Sequence, residues 1–338
     1  MATPFRCSAS KHRRDVRGLA NRRFAPVLLA AAMALGSTGA AHAVSFSVTF
    51  GTQNGGVSLA AQATINSALS FYTTTFSDPV TVALEFHNDA AVFGQSFFAF
   101  YFVPYATFRT NLLADASPGD DTTAAPFIIA NGGLDPVING ANVGVKSANG
   151  RAFGLSLAAA TTGGTCSAGT FDGCIGLGLS AIGPAALATV VQHEVDEVLG
   201  LGSGLPTTSI IWPEDLFRYA GPGARSFATN ASATNPCGAG TPRAFFSING
   251  GASNINEFNN CNNGGDYGDW ITHTPSQVQD AFTNLSATPT LTAGSTELRA
   301  LDVVGWTLAV AVPEPGTWVL FGLGLLALGG WRLRSAER

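Results

Sequence analysis

Positive charge is nearly missing from the middle of this 338-residue chain. Of its 17 lysines and arginines only seven fall between Val44 and Ala311, against 19 of the 22 acidic residues, a formal charge near −12. Such a surface repels phosphate backbones, so no nucleic-acid partner is expected. No G-x-S-x-G elbow, phosphate loop or dinucleotide fingerprint occurs, which leaves nucleophilic-serine and nucleotide-dependent chemistry without a carrier. Methionine is confined to Met1 and Met33, and no C-x-x-C pair argues for a cysteine zinc site. Past residue 43 the only histidines are His87, His193 and His273. Gly, Ala, Ser, Thr and Asn replace charge, the composition of a secreted protein with long loops.

Both ends read as targeting segments. Arg6, Lys11, Arg13, Arg14, Arg17, Arg22 and Arg23 precede an apolar run, Phe24–Gly36, and Ala41-His42-Ala43 forms an A-x-A cleavage site. Residues 1–43 are thus expected to be a signal peptide taken by the Sec machinery, the apolar run being short for a membrane span. At the other end Val312-Pro313-Glu314-Pro315-Gly316 leads into an apolar run from Thr317 to Trp331, followed by Arg332, Arg334 and Arg338. A helix-breaking linker, a marginal span and a basic stop predict a membrane anchor with its basic end in the cytoplasm. Residues 312–338 resemble the PEP-CTERM sorting signal processed by exosortases of Gram-negative bacteria. That resemblance implies export, transient anchoring in the inner membrane, and then the cell surface or the extracellular space.

Between them lies a domain of about 270 residues, 44–311. Cys7 goes with the leader, and an even count in an oxidising compartment points to disulfides among Cys166, Cys174, Cys237 and Cys261. The shorter loops favour Cys166–Cys174 and Cys237–Cys261. Alternation predicts strands at Val44–Phe50, Pro79–Phe86 and Phe97–Val103, and helical spacing predicts helices at Ser58–Phe76 and Ala106–Ala114. Ala141–Leu155 reads as strands broken at Asn149-Gly150, and Phe171–Leu177 as a turn into a strand. The expected fold class is α+β.

The most informative stretch is Gly183–Ser203. Pro184 suits a first helical position and Gly200 a left-handed stop. Leu187, Val190, Val191, Val195, Val198 and Leu199 fall on one apolar arc, with His193 and Glu197 side by side at its edge. Glu194 falls inside that arc, where a carboxylate is costly unless it faces a cavity, a proton or a metal-bound water. Two ligands one turn apart with a Glu between them is the arrangement of a zincin helix, with Glu197 where H-E-x-x-H has its second His.

A long N-terminal helix, a strand with a D-G-x-I element at Asp172–Ile175, and H-E-x-x-E-x-x-G at His193–Gly200 together resemble the metzincin-like zinc metalloproteases. The stretches 213–219, 245–251, 264–270 and 301–306 resemble PEP-CTERM-tagged members of that kind. The resemblance implies a zincin-like domain with a mixed sheet and an active-site helix. It also implies Zn2+ on His193 and Glu197, Glu194 as general base, and a protein or peptide substrate. Two departures stand out: Ser203 occupies the position of the metzincin third ligand, and no methionine is left for a Met-turn. For the third ligand the resemblance favours Asp215, whose other role is a helix cap; His273 is the alternative, and His87 reads as a satisfied histidine. Calcium in the Asn259–Asp269 stretch is a minor expectation, since the EF-hand pattern is absent. The other reading of the chain is a non-catalytic exported surface or matrix protein on a decayed zincin fold.

Overall fold

In the computed structural model the described residues are 43–161, 166, 170–229, 244–282 and 286–309. They begin with strand β1 (Ser45–Phe50) and helix α1 (Leu59–Thr75). The helix starts where it does because the Ser58 hydroxyl accepts from the Ala61 N–H at 3.2 Å, and it buries Ile65, Leu69 and Tyr72. Strands β2 (Thr81–Asn88), β3 (Gly94–Phe97) and β4 (Phe100–Pro104) follow, then helices α2 (Tyr105–Asp115) and α3 (Asp120–Ala124). Strand β5 (Asn142–Lys146) runs directly into helix α4 (Ser147–Ala152), and β6 (Gly173–Leu177) precedes helix α5 (Pro184–Leu199). A 3-10 turn (Pro213–Phe217), short strands β7 (Arg218–Gly221), β8 (Ala224–Arg225), β9 (Phe245–Phe246) and β10 (Asn256–Glu257), and helix α6 (Thr296–Val303) complete the order.

The main sheet has the order β1-β2-β6-β3. β1, β2 and β6 are parallel, and β3 lies antiparallel on β6 at one edge. β4 and β5 form an antiparallel pair, and β10-β9-β7-β8 make a small second sheet. The mixed α+β class is as expected. Central β2 buries Val82, Leu84 and Phe86 on one face and Glu85 and His87 on the other, because helices and loops cover both sides.

Ala141–Leu155 corrects the expectation of broken strands. Asn149 and Gly150 lie inside α4, not in a turn, and Asn149 Nδ2 donates to the Val304 carbonyl at 2.9 Å. Gly150 serves there as the residue small enough to pass Leu157 and Val145. Asp172, before β6, fastens this corner: it accepts from Ala83 N–H at 2.8 Å, Ser147 Oγ at 2.5 Å and both Arg151 terminal nitrogens.

Helix α5 is held from three sides. Tyr72 of α1 donates to Asp196 Oδ1 at 2.7 Å, and Trp306 Nε1 donates to the Leu199 carbonyl at 2.6 Å. At its C-terminus Gly200, with φ 145°, closes the helix by donating to the Asp196 and Glu197 carbonyls. The Lys146 ammonium, fully buried, donates to the carbonyls of Glu197 and Leu201 at 2.5 and 2.6 Å and sits 3.7 Å from the Phe98 ring centroid. A cation at that end of a helix meets the negative pole of its dipole.

Cys166 and Cys174 form the expected disulfide. Cys261 is also disulfide-bonded; Cys237 lies outside the described residues. The leader and the segment 312–338 lie outside them too, and among the described residues no helix is long and apolar enough to cross a membrane.

Candidate metal centre

His193, Glu197 and Asp269 bring one ligand atom each to within 4.8 Å of one another. The helix supplies the first two, and the Gly264–Asp269 loop, packed against the Gly202-Ser203 turn, supplies the third. His193 Nδ1 lies 2.9 Å from the Val278 carbonyl. That oxygen can only accept, so Nδ1 donates to it, and Nε2, 3.8 Å from Asp269 Oδ1, is the nitrogen that a metal would meet in place of a proton. Glu197 Oε2 accepts from Ser96 Oγ of β3 at 2.5 Å, and Asp269 Oδ1 from Gln279 Nε2 at 2.9 Å. Each of the three donors is thus oriented by a neighbour one bond further out.

The electrostatics are unfavourable without a cation. Burial, then the Glu197 charge, pushes the Glu194 carboxyl well above the usual range. Asp269 is raised by burial and by Glu197 and Asp266. Burial works against a charged His193, yet Asp269, Glu194 and Glu197 outweigh it and hold the imidazole above its ordinary value. A dication among these groups would relieve that crowding. One imidazole nitrogen and two carboxylate oxygens suit Zn2+, and the amide oxygen of fully buried Gln279 is left beside them with no hydrogen-bond partner. The donor set fits the metal.

Asp215, expected as the third ligand, is elsewhere engaged. It is fully buried and accepts from Ser203 Oγ at 2.5 Å and from the Gly204 and Trp212 N–H groups at 2.8 Å, with Arg218 Nε 3.9 Å away. Its oxygens hold the 202–212 loop in shape and are not part of the three-donor group. His273 pairs with Asp280 at 2.6 Å and is likewise apart from it. His87 is buried beside Cys174, and the group it forms with Cys166 and Cys174 has its sulfurs committed to the disulfide. In the Asn259–Asp269 stretch, Asn259 and Asn263 bond each other's amides at 3.1 and 2.8 Å, the behaviour of a self-satisfied loop. Asp269 was missed because a loop residue has no fixed spacing from a helix motif. The only signal was an acidic residue set directly before Trp270 in a Gly-rich run.

The three donors lie on a cleft of about 610 Å³, floored by His193, Glu194 and Glu197 and walled by Gly94–Ser96 of β3 on one side and the Gly264–Asp269 loop on the other. Glu194, 5% exposed, packs under Gly94, where a Cβ would stand 2.2 Å from its Oε1. A second hollow of about 350 Å³ continues past Glu194. Among the described residues no Lys or Arg lines either space.

A family model described as the PEP-CTERM protein-sorting motif matches residues 311–335. Comparison with curated proteins and with solved structures returns no match. The motif marks an exported protein of a Gram-negative bacterium, sorted and processed at the membrane by an exosortase.

Proposed function

We propose that this exported chain is a zinc-dependent endopeptidase with His193, Glu197 and Asp269 as metal ligands and Glu194 as general base. The observation that carries the reading is the buried Glu194 carboxylate, set between two ligand side chains and open to a cleft. Zinc held there supplies positive charge that polarises a peptide carbonyl and acidifies water. Glu194 is placed to take a proton from that water, because its carboxyl lies beside both ligand side chains on the floor of the cleft. β3 is the edge strand of the main sheet, so an extended peptide can pair with its outer side and be oriented along the cleft. Ser96 of the same strand fixes Glu197, which ties substrate placement to ligand placement. The resemblance to metzincin-like proteases supports the same chemistry with a different third ligand, Asp269 in place of Asp215.

The test is metal content and activity together. The purified protein should carry about one zinc per chain by elemental analysis and cleave a denatured protein in a chelator-sensitive way. Glu194→Gln should keep the metal and lose at least ~10²-fold in rate. A chain that binds no metal and cleaves nothing is instead a non-catalytic surface protein.

A further inference from the structure

On the face of the main sheet that carries Glu85 and His87, a second group of metal-type donors gathers. β2 and β6 are parallel, and their register sets Glu85 opposite Cys174 and His87 opposite Gly176. Side chains two apart on a strand share a face, so Cys174 and His87 meet on the diagonal. Gly176 gives the imidazole its place: a Cβ there would stand 3.2 Å from His87 Nε2. His87 Nδ1 lies 3.9 Å from Cys174 Sγ, and Cys166 completes a group whose ligand atoms all fall within 4.8 Å of one another. His87 is 1% exposed, and burial lowers its pKa, which favours the neutral ring that a metal needs. One imidazole nitrogen and two sulfurs suit zinc better than the harder cations that oxygen donors hold. The sulfurs are joined here, so the group is closed to metal while the disulfide stands.

We propose that Cys166, Cys174 and His87 form a further zinc site, which opens when their disulfide is reduced by a thiol. Two RSH become RSSR, and Cys166 and Cys174 each gain one electron and one proton. Zinc then displaces the two thiol protons and binds both thiolates and the His87 lone pair, leaving its fourth position to water. Metal and disulfide are thus exclusive ways of fastening the corner where β6 begins. The site is independent of the endopeptidase reading, since none of its residues borders either cavity.

The probe is Co2+, whose thiolate complexes absorb in the near ultraviolet, titrated into the full-length chain before and after a phosphine reductant. The oxidised chain should show no thiolate band. The reduced chain should show one that Zn2+ abolishes, and its zinc uptake should rise by about one ion per chain. Alkylation mapped by mass spectrometry locates the site. Zinc should slow modification of Cys166 and Cys174 at least ~10-fold and leave Cys261 unaffected. His87→Ala should cut that protection to under about 3-fold, whereas Cys261→Ser should keep the band. No band on reduction, protection of Cys261 instead, or full protection in His87→Ala would overturn the proposal. So would a reduced chain that loses its fold and binds nothing. Zinc on the oxidised chain is counted separately, because it reports on His193, Glu197 and Asp269.

Discussion

The Lys146 ammonium donates to the main-chain carbonyl of Glu197, so the residue that closes strand β5 also caps the helix that carries His193 and Glu197. Burial lowers its pKa to about 8, with Glu197 and Glu214 opposing that shift. Lys146→Met keeps the bulk over Phe98 and removes the donor, leaving the Glu197 and Leu201 carbonyls without their cap. The variant should lose about 1–3 kcal/mol of stability in a denaturant melt. Its zinc affinity should also fall, because the last helical turn is then held only by the Gly200 N–H and Trp306 Nε1 bonds.

Asp269 and Asp215 should separate cleanly. Asp269→Ala removes a donor from the three-residue group and should weaken zinc binding at least ~10-fold in a competition titration, with a modest change in melting temperature. Asp215→Ala leaves the Ser203 hydroxyl and two N–H groups without their acceptor and takes the carboxylate from beside buried Arg218, and should cost about 3–5 kcal/mol of stability. Its folded fraction should still bind the metal. His273→Ala should leave zinc affinity unchanged. Metal loss in either the Asp215 or the His273 variant, with Asp269→Ala silent, would contradict the assignment.

Gly94→Ala adds one methyl group against Glu194 and Val190. Zinc content should stay near that of the unsubstituted protein, because no ligand moves, while kcat falls at least ~10-fold as the general base is displaced. An unchanged kcat would show that Glu194 does not work from the position described.

Stability should fall as pH rises from mildly acidic to neutral. Burial raises Asp78 to about 6, Asp115 to about 7 and Asp302 to about 7, where the α2–α3 and α6 segments meet and Asp120, Asp121 and Arg299 also gather. An aspartate raised in the folded state binds more protons folded than unfolded between its two pKa values. Its contribution is therefore complete below about pH 4 and lost as pH climbs through about 6 to 7. Calorimetry should give a higher melting temperature at pH 5 than at pH 8, and Asp302→Asn should flatten the slope. An equal slope in that variant would place the titration elsewhere.

The parts legible in the sequence were those with punctuation and period. Pro184 and Gly200 bracket α5, Ser58 caps α1, and alternating Val82, Leu84 and Phe86 mark β2. His193 and Glu197 followed from helical spacing alone. The third donor did not, since Asp269 reaches the helix only through tertiary packing of a Gly-rich loop on the Gly202-Ser203 turn. Asp215 misled because a buried Asp after a loop looks the same whether it meets a metal or, as here, two N–H groups and a hydroxyl. Asn149-Gly150 misled for a similar reason: a pair that makes turns in water sits inside a helix when buried, Asn149 donating to the Val304 carbonyl and Gly150 letting Leu157 and Val145 close in.

The bond from His193 to the Val278 carbonyl reaches beyond ligand orientation. Val278 and Gln279 lie on one short stretch, so the same few residues hold His193 by a carbonyl and Asp269 by an amide. Ala281, just after them, is fixed to the Trp270 carbonyl and walls both cavities. If the site holds zinc as proposed, loading the metal and docking this stretch are linked, mass action on either shifts the other, and added zinc should slow proteolysis of the folded chain.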